Sequence, residues 1–200
     1  NFEPGMDLVA KGTVLAEGVV GHLTYAALDH FDINGLDPQR FELGVKEIWE
    51  VEEPLDEVIH TMGWPLRKAA KYKEFGGSFI YPMEDNKVCI GFVAGLDYTD
   101  ATFSVHDALQ QFKLHPFVKK ILKGGKRVGW GAKTIPQGGY WSMPKRLSVP
   151  GMVIAGDNAG MVNVAELKGV HYAMHAGMYA AEAIVDALEK DQVDFSAYDE

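Results

Sequence analysis

The sequence predicts a mixed α+β to α/β chain: two end segments make up one domain, and a sheet-rich stretch is inserted between them. Three observations predict it. The ends match, each carrying an apolar run, an acidic residue beside glycine and then apolar positions at helical spacing. The middle alternates and turns as antiparallel strands do, over roughly 110 to 120 residues, longer than any plain loop in a compact domain. Finally, 22 of the 200 residues are glycine, which rules out an all-helical bundle and points to tight turns and close backbone approaches.

Residues 1–35 form the first segment. Leu8 to Ala16 reads as a mostly apolar buried strand, and Val20, Leu23, Ala27 and Leu28 follow Glu17-Gly18 at helical spacing. A first residue other than Met, with a strand entered so early, leads us to expect a piece of a longer protein. Residues 36–148 form the inserted domain. Phe41 to Val51 is a strand candidate, Ile59 to Leu66 is a weaker one broken by Gly63, and Gly77–Met83 with Val88–Leu96 makes a hairpin about the polar turn Glu84-Asp85-Asn86-Lys87. Val105–Leu114 reads as a helix, Pro116 ends it or opens a second short one through Leu122, and Lys126–Ala132 returns as a strand. Thr134–Pro150, rich in proline and paired glycine, is expected to be a loop or an irregular hairpin. Residues 149–192 rejoin the first domain. There Gly151–Gly156 has the pattern of a parallel-sheet strand, and a helix runs from about Gly169 to Glu189. Its expected core face is Val170, Ala173, Met174, Gly177, Met178, Ala181, Val185 and Leu188. Residues 193–200 are acidic and are expected to fray as a tail.

Charge and cysteine content exclude several classes. A net charge of -9 argues against a general nucleic-acid binder, which needs clustered surplus cations. The single cysteine, Cys89, reads as a small core residue and cannot close an internal disulfide or supply a four-thiolate cluster. The longest stretch free of Asp, Glu, Lys and Arg, Gly169–Ala181, is short of the roughly 20 apolar residues a spanning helix needs. His171 and His175 have helical i,i+4 spacing but no third ligand nearby in sequence, and they read as structural. No order of Ser, His and Asp points to hydrolysis.

The strongest chemical signal is Met152-Val153-Ile154-Ala155-Gly156-Asp157-Asn158-Ala159-Gly160. A buried strand delivers Gly156-Asp157 to its carboxyl end, where ligands bind in open α/β sheets. The carboxylate can accept from a chain of hydroxyls, and bare backbone at Gly160 can approach a flat ring near a helix start. A plain strand-ending turn has the same sequence. Ala16-Glu17-Gly18-Val19-Val20-Gly21 is a second strand end of the same kind.

In this order, the pair resembles the two internal motifs of FAD-dependent oxidoreductases of the hydroxylase and reductase superfamily. In that pattern Asp stands where this chain has Glu17. The resemblance narrows with His60-Thr61-Met62-Gly63-Trp64-Pro65-Leu66, Phe75-Gly76-Gly77-Ser78-Phe79, Gly91-Phe92-Val93-Ala94-Gly95-Leu96-Asp97-Tyr98, Gly124-Gly125-Lys126-Arg127, Gly138-Gly139-Tyr140-Trp141-Ser142-Met143-Pro144-Lys145 and Asn163-Val164-Ala165-Glu166-Leu167-Lys168-Gly169. This ordered set covers nearly the whole chain. It is similar to the middle of the electron transfer flavoprotein:ubiquinone oxidoreductase family and its nitrogen-fixation-associated bacterial relatives. Many members have Pro-Lys at Ala165-Glu166, and Gly156-Asp157 follows the wider superfamily more closely than some near relatives do.

The resemblance implies part of an FAD-binding domain with an inserted quinone- or substrate-binding domain. It places Glu17, Gly18, Gly156, Asp157, Gly160, Met161, Val162 and Asn163 at FAD, the last three offering backbone donors to the ring. It places Gly76 and Gly77 at the ubiquinone headgroup, with Phe75 and Phe79 flanking. It further implies electron transfer from reduced electron transfer flavoprotein through FAD to ubiquinone, and peripheral attachment to one leaflet of a bacterial cytoplasmic or mitochondrial inner membrane. A 4Fe–4S cluster is expected only downstream of this sequence, and the piece alone is expected to be inactive. Two alternatives stay open: a related FAD-dependent reductase acting on an isoprenoid or other lipid, and a non-catalytic quinone- or lipid-binding module. Two surface features suit a membrane: the aromatic and cationic run Tyr140–Leu147, and the cluster Lys113, Lys119, Lys120, Lys123, Lys126 and Arg127. Each also suits an ordinary solvated surface, as does the acidic run Glu47, Glu50, Glu52, Glu53, Asp56 and Glu57.

Overall fold

The computed structural model describes residues 3–164 and 168–200. The chain divides into two units, Asn1–Gln39 with Gly138–Glu200, and Arg40–Gln137.

The first unit is built on a three-stranded sheet of order β1-β8-β7, with β1 Thr13–Leu15, β7 Ser148–Val149 and β8 Met152–Ile154. β1 and β8 are parallel, Leu15 standing opposite Ile154, whereas β7 runs antiparallel to β8. The strand expected over Leu8–Ala16 is therefore only three residues long, and Leu8 and Val9 are 91% and 97% exposed. On its β1 edge β8 is itself only three residues long and pairs with Thr13–Leu15 alone, so Leu8 to Gly12 have no ladder to join there. α1 spans His22–His30 and buries Thr24 and Leu28, while Val20 and Leu23 stay exposed.

α4, Val170–Glu189, turns a different face inward from the expected one. Ala176, Ala180, Ala183 and Ala187 pack against Val153, Phe195 and Tyr198, while Val170, Met174, Met178 and Val185 are exposed. The helix is apolar nearly all round, so periodicity does not single out one stripe, and the alanines allow the closer approach. The expected tail is docked. Phe195 is fully buried, the Tyr198 hydroxyl donates to the Ile154 carbonyl at 3.1 Å, and Asp199 accepts from the Leu147 and Ser148 amides and the Ser148 hydroxyl. Two aromatics in that acidic stretch override its charge.

The second unit is a five-stranded antiparallel sheet of order β3-β4-β5-β2-β6, with β2 Phe41–Glu50, β3 Ile59–Met62, β4 Gly76–Met83, β5 Lys87–Gly95 and β6 Lys126–Pro136. β4 and β5 form the expected hairpin, and Asp85 and Asn86 supply the positive φ its turn requires. β6 runs beyond the expected Ala132 because β2 offers partners as far as Phe41 opposite Pro136. α2, Val105–Lys113, and α3, Pro116–Ile121, cover one face of this sheet through Leu109, Phe112 and Val118, packed with Ile80, Ile90 and Phe92.

The acidic run is not uniformly solvated. Glu47 is 2% exposed on the helix-covered face and accepts from Lys113 Nζ at 2.7 Å, Trp49 Nε1 at 2.8 Å and Arg127 at 3.1 Å. Burial pushes its carboxyl up, but these donors prevail and hold it at about 2. Residues 138–148 group with the end segments rather than the insertion. The Asp37 amide donates to the Trp141 carbonyl and Lys145 to Ile33, both at 2.9 Å, and the Gly138 amide donates to Gln39 Oε1 at 2.7 Å.

Candidate functional site

In the first unit the parallel register of β1 and β8 brings Glu17-Gly18 and Gly156-Asp157 to the same end of one sheet. Glu17 faces its own helix. Its carboxylate accepts from the Leu23 amide at 3.2 Å, the Thr24 amide at 2.7 Å and the Thr24 hydroxyl at 2.8 Å, capping α1. Desolvation raises the Glu17 carboxyl, and the Thr24 and Leu23 bonds outweigh it, so the group sits below its ordinary value.

A residue outside the sequence-derived set joins the two turns. The Asn158 side-chain amide donates to the Leu15 carbonyl at 2.8 Å and to Thr24 Oγ1 at 2.7 Å. It thus extends the Glu17–Thr24 bond into one chain running between the turns. Its Oδ1 is buried and, among the described residues, has no hydrogen-bond partner. The signal was present as a short amide side chain immediately after Gly156-Asp157, but only the three-dimensional register shows where it points.

Gly156 and Gly160 take φ of 82° and 76°, a conformation that glycine adopts without strain. The loop between them curls back on itself. The Gly160 amide donates to the Asp157 carbonyl at 2.9 Å, Met161 to Gly156 at 3.4 Å, Val162 to Gly160 at 2.8 Å and Asn163 to Lys168 at 2.7 Å. The amides expected to face a ring thus have acceptors of their own, that of Met161 the longest. A Cβ on Gly169, which precedes α4, would stand 3.6 Å from Asp157 Oδ1, so the carboxylate lies beside the start of a 20-residue helix. That helix start has no side-chain cap and no acidic residue in its first turn. Ala165 and Glu166 lie outside the described residues.

In the second unit Gly76 and Gly77 are buried in β4. A Cβ on Gly76 would collide with the Val93 carbonyl, and one on Gly77 with the Thr61 carbonyl, so both glycines let β5 and β3 approach. Phe75 is half-exposed, whereas Phe79 lies over Gly91 and stacks on Tyr81 at 5.8 Å. A cavity of about 310 Å³ opens on the other side of β4, lined by Ile59, Met62, Trp64, Phe112, His115 and Phe117 among others. None of Phe75, Gly76, Gly77 and Phe79 lines it. The segment leading into Phe75 is fastened by Arg67, which binds Glu74 through both its backbone amide and its guanidinium and reaches Asp100 at 2.8 Å. Among the described residues, no helix is long and apolar enough to cross a membrane.

The family described as "ETF-QO, ubiquinone-binding" matches residues 41–135. The mitochondrial electron transfer flavoprotein-ubiquinone oxidoreductase of Caenorhabditis elegans is 41% identical over 99% of this chain and 33% of its own length. Its counterpart in Dictyostelium discoideum is 43% identical over 96% of this chain and 32% of its own length. The Pseudomonas aeruginosa protein is 41% identical over 94% of this chain and 34% of its own length. The chain thus spans about a third of these relatives. Among solved structures, a geranylgeranyl bacteriochlorophyll reductase-like protein from Thermoplasma acidophilum aligns with TM-score 0.73 at 17% identity, over 94% of this chain and 44% of that one. A flavin-dependent brominase aligns with TM-score 0.67 at 21% identity, over 98% of this chain and 49% of that one. These two share the fold, and the far closer sequence relatives, alike from animal, amoeba and bacterium, carry the assignment: over nearly its whole length the chain matches the electron transfer flavoprotein-ubiquinone oxidoreductase family.

Proposed function

We propose that this chain forms part of the FAD site and the quinone-binding sheet of an oxidoreductase that passes electrons from reduced electron transfer flavoprotein to ubiquinone at one leaflet of a membrane. The membrane would be the bacterial cytoplasmic or mitochondrial inner membrane. The observation that carries the reading is 41% identity over 99% of the chain to a relative of that name. The geometry is compatible with the cofactor: Gly18, Gly156 and Gly160 hold positive φ, and Asp157 lies beside the start of α4, whose dipole favours negative charge. In this reading Asp157 accepts from the hydroxyl chain of FAD, and Met161, Val162 and Asn163 line the ring. Glu17 shapes the turn through α1. Bound FAD would supply the redox centre, so no acid–base residue is needed here. Gly76 and Gly77 fix the backbone at the quinone headgroup, between Phe75 and Phe79. A 4Fe–4S cluster would draw on cysteines other than the buried Cys89.

Asp157→Ala in the full-length protein tests the flavin role. Losing a charge-assisted hydrogen bond weakens retention about 10- to 100-fold, read as flavin absorbance per polypeptide after purification. Unchanged flavin content would remove Asp157 from the site. A colourless, folded full-length protein that binds quinone would replace the whole reading with that of a binding module.

A further inference from the structure

The charge of this chain is unevenly spread. Between Lys113 and Arg127 there is no Asp or Glu and there are six cations, in a chain of net charge -9. Two of these cations, Lys113 and Arg127, are committed to Glu47. Lys119, Lys120 and Lys123 are exposed and form no ion pair among the described residues. The same corner exposes large apolar groups. Leu114, which follows α2, is 71% exposed, Phe117 on α3 is 47%, and Met62 and Trp64 are 61% and 44%. Phe117 and Lys120 stand three residues apart on one side of α3. Met62, Trp64 and Phe117 rim the apolar cavity, and Trp64 packs on His115 with ring centroids 5.3 Å apart.

We propose that this corner of the second unit is the surface that lies on the membrane: Trp64, Leu114 and Phe117 enter the interfacial layer, and Lys119, Lys120 and Lys123 face the headgroups of anionic lipid. The assignment rests on the membrane reading above and deepens it by choosing a face. Exposed apolar groups at a cavity mouth, with these lysines following on α3 and the turn after it, fit a bilayer, whose headgroups attract the cations while its acyl boundary receives the rings. With the remainder of the chain strongly acidic, an anionic surface repels the other faces and orients this one. The competing surface is Tyr140–Trp141, 77% and 58% exposed, which has only Lys145 and Arg146 nearby in sequence.

Vesicle co-sedimentation of the full-length protein tests this, with phosphatidylcholine alone or mixed with phosphatidylglycerol. The expected result is binding that favours the anionic vesicles, falls at least tenfold in K119E/K120E/K123E and in L114S/F117S, and is unchanged in Y140S/W141S. The triple-lysine variant alters only exposed side chains, so it decides the question should L114S/F117S fail to fold. Wild-type binding with K119E/K120E/K123E unaffected, or loss confined to Y140S/W141S, would overturn this face while leaving membrane attachment standing. Wild-type protein that ignores both kinds of vesicle would overturn the attachment itself.

Discussion

Asn158 shows how much a single side chain can settle. Its amide crosses 143 residues of sequence to reach the Leu15 carbonyl, and through Thr24 it fixes the geometry of the Glu17 turn. Removing it leaves a carbonyl at a strand end and a buried threonine hydroxyl short of a donor. The expected cost of Asn158→Ala is about 1 to 3 kcal/mol by chemical denaturation. Because the amide locks both turns to one sheet edge, flavin retained per polypeptide should fall as well. Asn158→Asp should be no better, since a carboxylate cannot donate to Leu15. Stability equal to wild type in both variants would show that the link carries no load. The two strand ends are legible in the sequence because each is a local pattern, an apolar run into an acidic-glycine turn, whereas a flavin role for the residues around them comes only with the family resemblance. Asn158 was not, because its partners come from the other end of the unit and no local spacing encodes them.

At the scale of elements, β2, α2 and β6 meet at one carboxylate. Glu47 takes Lys113 from α2 and Arg127 from β6 while itself almost wholly buried. Its value of about 2 lies below the ordinary 4.5, so its contribution to stability is complete above about pH 4.5 and drains away as pH falls toward 2. Glu47→Gln should therefore cost up to about 3 kcal/mol at pH 7, and the gap to wild type should close near pH 2. Urea unfolding of both proteins at pH 7, 4 and 2.5 measures it, and a gap independent of pH would place the effect in packing instead. Strands β2, β4 and β5 were readable because their alternation and a polar turn agree on one register. The inward face of α4 was not. Its alanines and methionines are both apolar, and only close approach to Phe195 and Tyr198 selects the alanines. The docked end was missed for a related reason, since composition weighs its acids and tertiary packing weighs its two aromatics. Burial of Glu47 likewise required knowing that two distant cations converge on it.

For the whole molecule, the arrangement of cores has a direct consequence for folding. The cluster containing Ile80, Ile90, Phe92, Leu109 and Phe112 lies wholly within Arg40–Gln137, and the other two clusters lie wholly outside it. The Gln137 amide donates to the Arg40 carbonyl at 2.7 Å, so the two ends of the second unit meet. A continuous stretch of close to 100 residues, with its own core and adjoining termini, has what an independent domain needs. Its edge strand β6 carries Lys126, Arg127 and Lys133, and the ladder to β2 is interrupted beside Ile48 and Trp49, which discourages edge-to-edge association. Residues 40–137 expressed alone should therefore fold, giving a β-rich far-ultraviolet spectrum and a single cooperative urea transition that tryptophan fluorescence and circular dichroism report at the same midpoint. The Glu47→Gln substitution should shift that midpoint as it does in the intact chain, because every partner of Glu47 is retained in the fragment. Gradual or non-coincident unfolding would show that this sheet needs the end segments to hold its core. A cooperative fragment insensitive to Glu47→Gln would separate the two claims, keeping the domain and removing the carboxylate as its pin.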